Sequence, residues 1–318
     1  MIRPLYYPIY TLDCCKPKPM MFDSKSDIIK YNVSYNTDQV SFSGLNPGKS
    51  AIKSIITENF FKVSSRTSKR RFSEIFQELK GKIEVVDIKT KDKINLVAWD
   101  INPKKNNKYV IYLHGSAQNI SNNQHLYSEI AKTKFGLFIP EYRNHGINPK
   151  TKVNEKKIIK DAEAALEYLK NKNISTKNIG LIGHSMGTFP AVKLAEKNPD
   201  LAFTVLISSV SSSNLAASNI NRKYIKLPSI VKKMLKNNPL FLQKITDGIL
   251  KIDESLSNTQ VPAYFIHSNN DKVYGINNVE ELSKRAKKIV EFIKLPNGGH
   301  RMEESKISTI VDILNKKL

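Results

Sequence analysis

Residues Gly183-His184-Ser185-Met186-Gly187 place a serine between two glycines in the pattern G-x-S-x-G. A serine hydroxyl is a poor nucleophile until its surroundings activate it. A sharp strand-to-helix turn does part of that work, because its strained backbone pushes the hydroxyl outward. The pentapeptide alone is weak: with glycine and serine each near ~7% of residues, a chain this long matches by chance roughly one time in ten. Its flanks supply the missing context. The apolar run Ile179–Ile182 precedes it, and a helical segment carrying Ala191, Val192, Leu194 and Ala195 follows. Glycines two before and two after the serine are expected where strand and helix approach too closely for a Cβ.

Such a serine needs a base, and the base needs an orienting carboxylate. On this kind of turn they follow in the order serine, acid, histidine. Of the six histidines, at 114, 125, 145, 184, 267 and 300, only His267 and His300 come after Ser185. His267 ends an apolar run and leaves no strand-end carboxylate between it and the serine. His300 closes Pro296-Asn297-Gly298-Gly299-His300, a flexible loop after the last apolar run. The loop after Phe203–Ser208 holds serines and Asn214 but no carboxylate, whereas Ser268-Asn269-Asn270-Asp271 follows Ala263–Ile266. Asp271 is therefore the acid, with an Asx-type turn as its competing role.

These residues need a frame. Ile83–Ile88 and Ile94–Ile101 read as two strands joined across a Lys-Asp turn. Tyr109–Leu113 is a short apolar run of the kind buried in a parallel sheet, and similar runs recur at 136–140, 179–182, 203–208, 263–266 and 290–295. Amphipathic segments alternate with them, most clearly Asp161–Leu169, where Ala162, Ala165, Leu166 and Leu169 share a face. The fold class is α/β, with a mostly parallel sheet covered by helices on both faces.

From about residue 83 onward the chain resembles the α/β-hydrolase superfamily. The matching features, in order, are His114-Gly115, Tyr142-Arg143-Asn144-His145-Gly146, the Ser185 turn, and Asp271 with His300. The stretch from Thr90 to Pro103 is similar to the strand pair opening the serine-aminopeptidase-like branch, which includes monoglyceride lipases and protein depalmitoylases. The family commonly has glycine at the positions of Asn144 and His267. The resemblance implies an oxyanion hole from the backbone N–H of Met186 and one donor after Gly115, Ser116; the side chains of Ser116 and Gln118 read as polar loop filling, with a side-chain role in the site as the alternative. It implies no cofactor, and the scattered histidines show no metal-ligand spacing.

Residues 1–48, punctuated by five prolines, read as an irregular tail containing the adjacent thiols Cys14 and Cys15. Residues 49–81 read as a short helical lead-in, with one helix near Ser50, a second over Phe72–Leu79, and Lys69-Arg70-Arg71 as a solvated junction. Residues 82–318 form the hydrolase domain. Within it, 212–260 break the strand–helix rhythm and read as a helical cap. Its apolar faces are Ile230, Val231, Met234 and Leu235, then Leu242, Ile245, Ile249, Leu250 and Ile252.

The net charge is +22, yet only eight of the 51 basic residues are arginine and the excess is spread along the chain. That reads as a lysine-rich surface and not as a specific nucleic-acid site, which favours arginine. Peripheral contact with an anionic membrane stays open. Pro4, Pro8 and Asp13 interrupt the N-terminus, so no signal peptide is expected, and no run reaches the ~18 apolar residues of a membrane span. These features point to a soluble cytoplasmic enzyme. The expected function is a serine hydrolase that forms an acyl-enzyme from carboxylic esters or thioesters, with small-molecule or lipid-like acyl substrates. The alternatives are an aminopeptidase-like amidase and a non-catalytic scaffold that only binds.

Overall fold

Each apolar run of the sequence becomes a strand. The strands are β1 (Ile83–Lys89), β2 (Asn95–Ile101), β3 (Tyr109–Leu113), β4 (Gly136–Pro140), β5 (Ile179–His184), β6 (Phe203–Ile207), β7 (Ala263–Ser268) and β8 (Ile289–Leu295). They form one sheet in the order β1-β2-β4-β3-β5-β6-β7-β8. Only β2 runs antiparallel to its neighbours; the pairs from β4 through β8 are parallel. The computed structural model describes residues 69–79, 83–102, 105–116, 118–151, 153–210 and 250–317. The tail 1–48 with Cys14 and Cys15, the helix near Ser50, and cap residues 212–249 lie outside them.

Helices flank both faces, as the alternating pattern requires. Along β3, Tyr109, Ile111 and Leu113 enter one apolar cluster, which α3 (Glu155–Asn171), α4 (Thr188–Lys197), α5 (Asp253–Asn258) and α6 (Ile276–Ser283) complete. Val110 and Tyr112 enter the other, with α1 (Lys69–Glu78), α2 (Gln124–Lys132) and α7 (Glu304–Lys316). All five residues of β3, β4 and β6 are buried, so their sequences are continuously apolar and do not alternate. The longest helix, α3, starts where Asn154 accepts the Lys157 N–H at 3.0 Å. Glu155 in its first turn and Lys170 in its last suit the helix dipole.

Two expectations need correction. Lys69-Arg70-Arg71 is not a junction but the first turn of α1. Burial of Ile75 beside the α2 side of the sheet stabilises the helix, and packing outweighs local preference. Residues 250–260, assigned to the cap, belong to the body. Leu250, Ile252 and Leu256 are buried in the α3–α6 cluster. Ser255 also accepts from Lys193 of α4 and donates to Glu196, each at 2.5 Å.

Candidate active site

Ser185 directly follows β5, and its φ of 52° lies in the left-handed region, a strained conformation for a serine. The flanking glycines make the turn sterically feasible. A Cβ on Gly187 would sit 1.9 Å from the Leu113 carbonyl oxygen of β3, and one on Gly183 would sit 2.7 Å from the Gly187 oxygen. Both obstacles are backbone, so neither can swing aside. Gly187→Ala is expected to cost about 3 kcal/mol of stability through forced displacement of the central strand. A melting temperature within a degree of the parent would show that β3 and the turn are less tightly apposed.

The loops after β7 and β8 bring the other two residues to the serine. His300 Nε2 lies 2.9 Å from Ser185 Oγ, and His300 Nδ1 lies 2.9 Å from Asp271 Oδ2. The Asp271 Oδ1 meanwhile accepts the N–H groups of Val273 and Tyr274 at 2.8 and 3.0 Å. The turn contacts and the contact to His300 therefore coexist, one on each oxygen. Burial alone would raise the Asp271 carboxyl, but the His300 hydrogen bond and the backbone donors outweigh it and hold the pKa down to about 2. An ionised Asp271 accepts from Nδ1–H, which leaves the Nε2 lone pair facing the serine hydroxyl.

His267 takes a different role. Its Nε2 is 3.7 Å from Asp271 Oδ2 but donates to the Tyr274 carbonyl at 2.9 Å, and burial lowers its pKa, keeping it neutral. Tyr274 packs edge-on against the His300 ring with centroids 5.1 Å apart. Burial pushes the Tyr274 phenol well up, with its contact to Ser185 pulling the other way.

The loop after β3 lies against Ser185, since a Cβ on Gly115 would be 3.3 Å from Ser185 Cβ. Gln118 Oε1 accepts the Gly115 N–H at 3.0 Å, so its side chain fills the loop and Ser116 carries the next backbone N–H. Glu141, fully buried at the end of β4, braces this loop through His114 Nε2 and the Ile120 N–H, both at 3.0 Å. Beside it, Asn144 has φ 64°, a conformation that glycine adopts freely and asparagine tolerates. Arg143, fully buried, ties that segment to Asp161 of α3 and to Asp92 in the β1–β2 turn.

The sequence reading did not single out Tyr274 or Glu141. Glu141 directly follows an apolar strand and could have been found as a strand-end carboxylate. Tyr274 carries no such signal. Among the described residues, no helix is long and apolar enough to cross a membrane, and no three His, Cys, Asp or Glu side chains gather as a metal-binding set.

The serine aminopeptidase S33 family model matches residues 104–238. The chain resembles the α/β hydrolases over that stretch, and the likeness to solved structures shows the α/β-hydrolase fold. A Mycoplasma genitalium protein named as an esterase/lipase is 29% identical over 141 residues, which is 44% of this chain; the chain spans about half, 51%, of that relative. Human alpha/beta hydrolase domain-containing protein 17C is 25% identical over 196 residues, 60% of this chain and 52% of its own. Among solved structures, an esterase from Pyrococcus furiosus shares the fold with a TM-score of 0.61 at 21% identity, covering 80% of this chain and 95% of its own. An α/β hydrolase from Vibrio vulnificus does so at 0.64 and 19%, covering 87% and 95%. The chain is thus similar to proteins named as esterases and lipases.

Proposed function

We propose that this α/β hydrolase is a serine esterase or thioesterase acting through an acyl-enzyme. The observation that carries the reading is the hydrogen-bonded chain Ser185–His300–Asp271 on a strained turn with its two glycines in place. Ser185 Oγ attacks the acyl carbon while His300 Nε2 takes the hydroxyl proton. Asp271 accepts from Nδ1–H and stabilises the imidazolium. The developing oxyanion is held by the N–H groups of Met186 and Ser116, at the N-terminal end of α4, where the helix dipole favours negative charge. The imidazolium then protonates the departing alkoxide or thiolate. Water, deprotonated by the same nitrogen, releases the acid and restores the serine.

Acyl substrates are favoured because the sequence between 212 and 249 is rich in apolar residues at helical spacing. An amidase reading also has support, from the family model's aminopeptidase description. It would need free carboxylates to hold a substrate ammonium; residues 212–260 offer only Asp247, Asp253 and Glu254, and Asp253 faces Arg285 at 4.0 Å.

Hydrolysis of p-nitrophenyl esters of increasing length tests the reading. Each buried CH₂ contributes up to ~0.8 kcal/mol, so kcat/KM should rise nearly fourfold per methylene from acetyl toward octanoyl. Ile245→Glu should flatten that rise more than it slows the acetyl ester. A strict acetyl preference, indifferent to Ile245→Glu, would end the lipid-directed reading and leave a small-ester hydrolase. Turnover of aminoacyl amides without any of esters would favour the amidase.

A further inference from the structure

Lys306 is out of place by ordinary rules. The chain carries many lysines on its surface, yet this one is fully buried, in the first turn of α7, where the helix dipole disfavours a cation. Burying an ammonium is costly unless strong acceptors meet it. Its acceptors are two backbone carbonyls: Lys306 Nζ donates to Gly299 at 2.5 Å and to Arg301 at 2.8 Å. The carbonyl between them, that of His300, is 2.9 Å from His184 Nε2. Burial holds His184 down to about 3, so it is neutral, and the tautomer with hydrogen on Nε2 makes this bond. Three consecutive carbonyls, 299 to 301, are thereby held by donors from α7 and from the nucleophile turn. The loop itself supplies little stiffness: Gly298 and Gly299 sit at φ of 120° and 52°, and glycine has the most conformational freedom to lose.

Building on the hydrolase reading above, we propose that Lys306 is a positioning residue: its buried ammonium, together with His184, clamps backbone 299–301 so that the His300 imidazole stays aligned between Asp271 and Ser185. The charged and titratable groups around it are Asp271 after β7, Glu303 at the start of α7, His267 of β7, His184 of the turn and His300 itself. Burial lowers the Lys306 ammonium to about 8, with Asp271 and Glu303 opposing the shift. Charge-assisted hydrogen bonds are roughly twice as strong as neutral ones, so the clamp weakens as the pH rises through that value.

The test compares pH–rate profiles of the wild type, Lys306→Arg and Lys306→Met on an activated acetyl ester, with Ser185→Ala as control. Wild-type kcat should fall above about pH 8. Lys306→Arg should keep activity and move that fall upward by more than one unit, because arginine stays charged. Lys306→Met should lower kcat by up to about 100-fold with KM within twofold, as expected when a reacting group is misplaced. Its alkaline fall should also vanish, and its melting temperature should drop by only a few degrees, since the cost of leaving two carbonyls without their donor is offset in part by no longer burying an ammonium. The inference is overturned if Lys306→Met keeps kcat within twofold, if its alkaline fall persists, or if lost activity only tracks lost folded protein. Should Lys306→Met fail to fold, a Lys306→Arg profile superimposable on the wild type overturns it equally. An active Ser185→Ala variant would sink the hydrolase reading and this inference together. An inactive one beside an unaffected Lys306→Met sinks this inference alone.

Discussion

Replacing Ser185 with alanine is expected to lower kcat/KM for an activated ester by about 10⁵-fold or more while leaving the fold intact. The size follows from chemistry: without Oγ the acyl group has no acceptor on the protein, and only direct attack by water remains. Stability should hardly change, because the substitution removes one atom and the φ of 52° is imposed by the surrounding turn. A fluorophosphonate probe, which marks activated serines covalently, should label the parent and not the variant. Full labelling of the variant would place the nucleophile elsewhere.

The second large effect is expected from Asp271→Asn, at about 10⁴-fold in kcat. The carboxylate now accepts from His300 Nδ1–H, and Nε2 faces Ser185 with a lone pair. An asparagine amide turned toward Nδ1 donates a hydrogen instead, favours the other tautomer, and puts Nε2–H against the hydroxyl. A base so protonated cannot take the serine proton.

Stability should also change, with a definite sign. Folding holds the Asp271 carboxyl down to about 2, below the ~3.9 of a free aspartate. Its contribution, about 2 kcal/mol, is present above the unfolded value and lost as pH falls through the folded one. The variant should be less stable than the parent at neutral pH, and the gap should close toward pH 2. Activity within tenfold of the parent would show that His300 is oriented by something else. Because Asp271 stays ionised across the working range, it does not supply the acid limb of the pH–rate profile.

Much of this arrangement was legible in the sequence because it is written in local chemistry. Apolar runs of five or six residues are buried on both sides of a sheet, and each became a strand. The glycines of the turn are dictated by contacts under 3 Å with backbone, so residue type alone reveals them. Chain order then narrowed the histidines and carboxylates to His300 and Asp271, and the structure places both within one hydrogen-bonded chain with Ser185. The helix boundary at Lys69 was not legible, because three basic residues argue locally against a helix start. What decides there is Ile75, buried in a cluster that residues of α2 and α7, far along the chain, complete.

The sequence by itself determined the α/β class, the strand positions, the turn around Ser185 and the pairing of an acid with a histidine. All are consequences of periodicity, steric exclusion and order along one chain. The tertiary structure decided how those groups are held. His267 is directed to the Tyr274 carbonyl and not to the serine. Glu141 braces the loop beyond Gly115, Tyr274 walls His300, and a buried Lys306 grips the carbonyls on either side of it. These contacts join residues from different loops and helices, at spacings no sequence period encodes. Their energies depend on burial and on donor–acceptor distances, which exist only once the sheet has brought its strand ends together.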